Sequence, residues 1–342
     1  MKTVLARLVL LACVAGSGAA WAQVPAAAAA PSTTAVGAER TISDWLMRMH
    51  EASRRRTYVG TFVVSSAAGN LSSARIWHAC DGVQQMERVE SLTGAPRSTF
   101  RRNDHVVTFL PDSKVVHTER RESLGLFPSL LKSSETTIPE FYTAQVTGSD
   151  RVAGFDTDIV QLNPRDNLRF GYRIWSEKKS GLVVKLQTLD ADGQVIEQAA
   201  FSELQLDAPV KMDKLAQMMA NTDGYKVHKA DPVKTTAEAQ GWVLKTPVAG
   251  FKPVGCYKRP PAGGGRDDTV QWIFSDGLAS VSLFVQAYDR QRHAQELMLS
   301  MGATQTLARR LADKGGDWWL TVVGEVPPQT LKAFAQSLER RK

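Results

Sequence analysis

Six histidines, His50, His78, His105, His117, His228 and His293, are the first candidates for metal ligation. A zinc site on a helix needs two of them at helical spacing with a carboxylate at hand. No pair has that spacing and no acidic cluster stands beside any of them, so each reads as a surface or strand histidine. Nucleophilic catalysis is the next chemistry. Ser129-Leu130-Leu131-Lys132 and Ser176-Glu177-Lys178-Lys179 both match Ser-x-x-Lys. Acyl-transfer enzymes of that type also need a second polar motif and a Lys-Thr-Gly strand, and Lys245-Thr246-Pro247 is not one. Two matches in one chain show how common the quartet is. There is no Gly-x-Ser-x-Gly and no phosphate loop, and Gly263-Gly264-Gly265 after Pro260-Pro261 reads as a loop without a helix start. The expected inventory is therefore no catalytic residue, no metal and no cofactor. An exported serine acyltransferase using Ser129 and Lys132 stays as an outlying alternative.

The cysteines point to compartment rather than catalysis. Met1 to Ala22 reads as a signal peptide: Lys2 and Arg7 are the basic region, Leu8 to Ala15 the apolar region, and Ala20-Trp21-Ala22 the cleavage site before Gln23. A lipoprotein box at Leu10-Leu11-Ala12-Cys13 is the rival, with a poor Leu11. Of three cysteines, cleavage leaves Cys80 and Cys256. An oxidising compartment permits them to pair, but they lie far apart, and two separate thiols is the plainer reading. Neither has Cys-x-x-Cys spacing. The 342 residues are 43% hydrophobic and 23% charged, which excludes a disordered chain or a disulfide miniprotein and allows two cores. The formal charge of +7 falls to +5 without Lys2 and Arg7. No basic block is interleaved with stacking aromatics, so nucleic acid is excluded as a partner. Arg54-Arg55-Arg56 reads as the solvated end of a helix.

These residues need elements to hold them. Residues 23–38 are an Ala/Pro-rich leader expected to be disordered. Ile42, Trp45, Leu46 and Met49 fall on one helix face, with Thr41 and Asp44 as a capping box. From Tyr58 to Leu206 the period becomes mainly two: eleven strand-like runs separated by turns such as Asp81-Gly82, Thr93-Gly94 and Asp192-Gly193. Close spacing makes them antiparallel neighbours, a large curved sheet or incomplete barrel. The apolar segment Leu124 to Leu131 interrupts the series and, with the first helix, is the natural plug for the concave face. Lys211–Ala220 predicts a short helix, and Asn221 to Gln240 a polar linker. A small α+β domain then starts near Gly241. It has hairpins at Trp272–Val285 and Thr304–Val323, a helix over His293–Met301 stopped by Gly302, and a last helix opened by Pro327-Pro328 whose end Arg340, Arg341 and Lys342 complement. The division is 1–22 signal peptide, 23–38 leader, 39–206 large domain, 207–240 linker and 241–342 small domain.

Several stretches carry a resemblance. They are Val323-Gly324-Glu325-Val326-Pro327-Pro328-Gln329-Thr330, Phe274-Ser275-Asp276-Gly277-Leu278, Tyr58 to Val63, Arg75-Ile76-Trp77-His78, Glu87 to Arg97 and Phe127-Pro128-Ser129-Leu130. In this order they resemble the RseB/MucB family over nearly the whole mature chain. The resemblance implies a fold class of α+β, mainly antiparallel: a LolA-like unclosed β-barrel capped by helices, plus a smaller C-terminal domain. It implies a soluble periplasmic negative regulator that binds the periplasmic domain of an RseA/MucA-type anti-sigma factor and shields it from a DegS-type site-1 protease. Lipid or a lipopolysaccharide fragment would loosen that grip. A switch of that kind needs two states of unequal lipid affinity, and the expectation here is that domain orientation is the bistable element, with 207–240 as hinge. Expected lipid contacts are Phe62, Ile76, Phe109, Leu126, Phe127 and Leu130, all of which core packing would also explain. Expected partner contacts are Trp272, Phe274, Asp276, Leu278, Glu325 and Gln329. A homo-oligomer is left open, and a lipid carrier without a regulatory partner is the main alternative.

Overall fold

The computed structural model describes residues 40–120, 127–128, 137–229, 232–260, 268–293, 295–313 and 316–341. Helix α1 (Ile42–Arg55) starts at the predicted capping box: Asp44 N–H donates to Thr41 Oγ1 at 3.2 Å and Thr41 N–H to Asp44 Oδ2 at 2.9 Å. It buries Trp45, Leu46, Met49 and Ala52. The eleven runs all form strands: β1 (Tyr58–Ser66), β2 (Leu71–Cys80), β3 (Gln85–Ser91), β4 (Ser98–Arg102), β5 (His105–Leu110), β6 (Val115–Arg120), β7 (Tyr142–Val152), β8 (Phe155–Pro164), β9 (Gly171–Glu177), β10 (Val183–Leu189) and β11 (Val195–Leu206). A single turn of helix, α2 (Ile138–Phe141), precedes β7. Their order in the sheet is β6-β5-β4-β3-β2-β1-β11-β10-β9-β8-β7, all antiparallel and unclosed, although the curl brings β7 back to touch β11. Buried residues alternate along β1 as Tyr58, Gly60 and Phe62. Gly60 has a packing reason: a Cβ there would stand 2.6 Å from the Phe201 ring.

The connecting stretch is more built than a polar linker. Helix α3 (Met212–Ala220) forms as predicted and buries Leu215 and Met219. After it, β12 (Lys226–Lys229) joins the large sheet as a twelfth strand, parallel to β6, and β13 (Val233–Lys234) pairs with the small domain.

The small domain has strands β14 (Trp242–Leu244), β15 (Lys252–Arg259), β16 (Thr269–Ser275), β17 (Ser280–Ala287), β18 (Leu297–Met301), β19 (Thr304–Asp313) and β20 (Gly316–Gly324). Helix α4 (Pro328–Ser337) and strand β21 (Leu338–Arg340) follow. The main sheet runs β13-β15-β16-β17-β20-β19-β18, and α4 buries Leu331, Phe334 and Ala335 against one face. Two expectations fail here. The predicted helix over His293–Met301 is strand β18, and Gly302, at φ +61°, turns a hairpin instead of capping a helix. Arg340 does not serve the end of α4 either: β21 pairs with β14, and the Arg340 guanidinium lies over Trp242 and Trp318 at 5.0 and 4.6 Å, while Lys342 lies outside the described residues. Cys80 and Cys256 are free thiols in different domains, and burial pushes the Cys256 thiol up.

Candidate functional site

Two places gather the functional candidates: the interior of the large sheet and the joint between the domains. In the interior, Phe62 on β1 and Phe201 on β11 face each other with ring centres 6.2 Å apart. Phe127 drops between them, 5.6 Å from Phe62 and 4.9 Å from Phe201. Ile76 from β2 and the buried face of α1 complete the same cluster. Three of the six lipid candidates therefore share one wall. Phe109 does not: it packs in a second cluster with Phe100, Met86 and Val116, closed by Leu215 and Met219 of α3 and by Tyr225. Leu126 and Leu130 lie outside the described residues. The wall is covered by the protein's own side chains, so an acyl chain would enter by displacing Phe127, whose burial is worth about 1.5–3 kcal/mol.

The joint is built on Arg169, in the hairpin loop between β8 and β9. Its side chain is fully buried. Nε donates to Asp276 Oδ2 at 2.8 Å, Nη2 to the Ala249 carbonyl at 2.7 Å, and Nη1 to Asp166 Oδ2 at 2.5 Å. The guanidinium is sandwiched between Phe141 of the large domain, 4.2 Å away, and Phe251 of the small domain, 4.8 Å away. Asp276 sits in the turn between β16 and β17. Besides Arg169 it accepts from the Leu278 and Ala279 backbone N–H groups at 3.0 and 2.8 Å and from the Tyr142 hydroxyl at 3.4 Å. Burial pushes its carboxyl upward, and the two N–H donors and Arg169 oppose that. Burial likewise pushes the Tyr142 and Tyr172 phenols up, so the Tyr142 hydroxyl stays a neutral donor to Asp276. Gly250 is needed beside this cage: at φ +78°, a Cβ would come 2.0 Å from Arg169 Nη2. Around the ion pair the domains exchange side chains. Leu278 of the small domain is buried in the large-domain core, and Leu168 of the large domain packs on the small-domain core.

The second motif lands on the same loop. Thr330 Oγ1 donates to the Leu168 carbonyl at 2.7 Å, and Gln329 Nε2 donates to the Asn167 carbonyl. Glu325 is half-buried at the rim, where its charge raises the Tyr172 phenol and the Glu197 carboxyl, the latter already raised mainly by burial. Of the six partner candidates, Asp276, Leu278 and Gln329 are thus engaged with this chain's own large domain. Phe274 is in the small-domain core, 4.9 Å from Phe334, and Trp272 is half-buried against the same core. Sequence reasoning missed Arg169, because an arginine in a polar hairpin loop carries no sign of burial. Catalytic alternatives gain nothing: the Ser176 hydroxyl is buried and donates to the Gly181 carbonyl at 3.1 Å, while Ser129 and Lys132 lie outside the described residues. Among the described residues there is no cluster of three metal-ligating side chains. His78 is a strand histidine, on β2, and it is fully buried, stacked on Tyr58 at 4.9 Å, with Nδ1 donating to the Arg56 carbonyl at 2.6 Å.

A curled sheet filled by its own aromatics and locked to a second domain through a buried ion pair is the architecture of a two-domain binding protein. The chain belongs to the MucB/RseB family: its N-terminal domain matches residues 41–219 and its C-terminal domain residues 236–339. The sigma factor AlgU regulatory protein MucB of Pseudomonas aeruginosa is 30% identical over 316 residues, 91% of this chain and 93% of that one. The MucB chain in the solved P. aeruginosa MucA/MucB complex superposes with a TM-score of 0.68 at 25% identity, covering 88% of this chain and 99% of that one. A crystal structure of MucB in complex with MucA(peri) gives 0.66 at 26% identity, with coverage of 88% and 99%.

Proposed function

We propose that this chain binds the periplasmic domain of a MucA/RseA-type anti-sigma factor, shields it from site-1 cleavage and so keeps an envelope-stress sigma factor off. The observation that supports this most is likeness across both domains to a protein crystallised with MucA(peri). The reading places the mature chain in the periplasm after loss of residues 1–22, with 23–38 as leader, 39–206 and 241–342 as domains and 207–240 as connection. Among the described residues no helix is long and apolar enough to cross a membrane. The protein acts by occupancy and turns over no substrate. Its lipid signal, an acyl chain or lipopolysaccharide fragment, takes the wall of Phe62, Ile76 and Phe127, together with Leu126 and Leu130, and weakens the grip. Release requires that lipid bind the free form better than the complexed form. The test is cleavage of a cognate anti-sigma ectodomain by its site-1 protease with and without the purified mature protein. Slower cleavage, restored by lipid, is expected. Equal rates at saturating protein overturn the regulatory reading and leave a lipid carrier.

A further inference from the structure

Two histidines that are far apart in the chain meet at the edge of the large sheet. β12 lies parallel to β6, and its register sets Lys226 against Val115, Val227 against Val116, His228 against His117 and Lys229 against Thr118. The Lys226 N–H donates to the Lys114 carbonyl at 2.8 Å and starts the pairing. Side chains alternate across a strand, and Val116 is fully buried on one face, so the two histidines share the opposite, outer face. Both are exposed there, with ring centres 5.6 Å apart and ring planes inclined by 34°. Helical spacing in the sequence could not disclose this pair, because the parallel addition of β12 makes it.

Two imidazoles side by side can chelate. A tetrahedral metal bonded to one nitrogen of each ring at about 2.0–2.1 Å holds the ring centres roughly 5 Å apart. The observed 5.6 Å is a small side-chain rotation from that, which exposed rings can make. Imidazole suits Zn²⁺, Cu²⁺ and Ni²⁺, whereas Mg²⁺ and Ca²⁺ take oxygen ligands. On the same face, by alternation, Glu119 lies two residues after His117 and favours an incoming cation, while Lys226, two residues before His228, opposes it. The strand that such an ion would hold has little else to hold it: all four residues of β12 are exposed, and it pairs on one side only. We propose that His117 and His228 form a two-histidine site for a borderline divalent metal ion, Zn²⁺, Cu²⁺ or Ni²⁺, that clasps β12 to β6. Among the described residues no third ligating side chain completes the set, so water fills the remaining positions and the ion exchanges. β12 and β13 lie on the one stretch that joins the two sheets, so the clasp fixes where that connection leaves the large domain.

The experiment is calorimetric titration of the metal-free, untagged mature chain with Zn²⁺, and with Mg²⁺ as control, for wild type, His117→Asn, His228→Asn and, on β5, His105→Asn. Wild type and H105N should bind one Zn²⁺ per chain, and Mg²⁺ should not bind. One ring alone has lost the chelate, so H117N and H228N should each bind zinc about 100-fold more weakly. Both histidines are exposed, so without metal these variants should keep the wild-type unfolding midpoint, which checks that the fold survives. Amide hydrogen exchange reads the clasp: zinc should slow exchange across Lys226–Lys229 in wild type and H105N, and in neither H117N nor H228N. A wild type that binds no zinc, or binds Mg²⁺ as well, overturns the proposal. So does zinc binding that H117N or H228N retains at wild-type strength, that H105N abolishes, or that leaves exchange in β12 unchanged.

Discussion

Arg169 shows how one side chain can hold two domains in register. Its guanidinium is fully buried, held by Asp276, Ala249 and Phe251 of the small domain and by Asp166 and Phe141 of its own. A buried ion pair adds little against a hydrophobic pair of the same shape, but removing one partner strands the other at a cost of about 3–5 kcal/mol. Arg169→Met should destabilise the protein by that amount in denaturant titration, whereas the double variant Arg169→Met, Asp276→Leu should recover much of the loss. A double variant no better than the single one would mean that Asp276 matters through its turn, where it accepts from Leu278 and Ala279. His78 makes a separate, pH-dependent contribution. Burial holds its imidazole below the usual value, opposed by Glu87 and by the Arg56 carbonyl. Below about pH 6.5 the unfolded chain therefore binds more protons than the folded one, and stability falls with pH down to the depressed folded value. His50 and His293 are shifted the same way, so His78→Phe should flatten the acid slope without abolishing it. It should also lose about 1 kcal/mol at neutral pH with the Arg56 hydrogen bond. An unchanged acid slope would move the proton uptake to other histidines. At this scale little was legible in the sequence. The stretches that carry the family resemblance, Phe274–Leu278 and Val323–Thr330, were visible, but as candidates for an outer surface. Burial against a loop more than a hundred residues away leaves no local trace.

The elements were far more legible, for a physical reason. A half-buried strand alternates, and the turns between such strands need Gly or Asx residues, so the eleven large-sheet strands could be read one by one. β18 was misread because Leu and Met are good helix formers and a glycine at positive φ serves a hairpin turn as well as a helix end. What decides is pairing with β19, which is tertiary. β12 escaped because a polar four-residue strand added parallel to β6 has no hydrophobic period of its own. The apolar segment around Phe127 was recognised as a plug, and Phe127 sits where a plug must, between Phe62 and Phe201. Phe127→Ala should cost about 3 kcal/mol of stability and open the wall. A fluorescent acyl probe should then bind the variant more tightly than wild type. Equal or weaker probe binding would show that Phe127 is ordinary core and that the lipid site lies elsewhere.

For the whole molecule, magnitudes decide how a lipid in the large domain could reach an anti-sigma factor. Coupling between two sites is typically ~1–3 kcal/mol. Opening the joint breaks the Arg169 cage and also exposes Leu278 from the large-domain core and Leu168 from the small-domain core, where burying one Leu is worth about 1.5–3 kcal/mol. Swinging the domains about residues 207–240 therefore demands more than a lipid usually supplies, and β12 and β13 tie that stretch to both sheets. On the proposed lipid signal, the route that fits the energies would keep the joint shut and act at Phe127: lipid would take its place against Phe62 and Phe201 and change the affinity for the partner from there. Affinity of the mature protein for a MucA periplasmic domain, measured with and without lipid, separates the two routes. Wild type should lose ~5–150-fold with lipid. Arg169→Met, which frees the domains, should bind more weakly by the same factor in both conditions, leaving the lipid effect intact. Phe127→Ala should bind the partner with little further response to lipid. If Arg169→Met is the variant that erases the lipid response, the signal passes through domain rotation, and the plug is only the door.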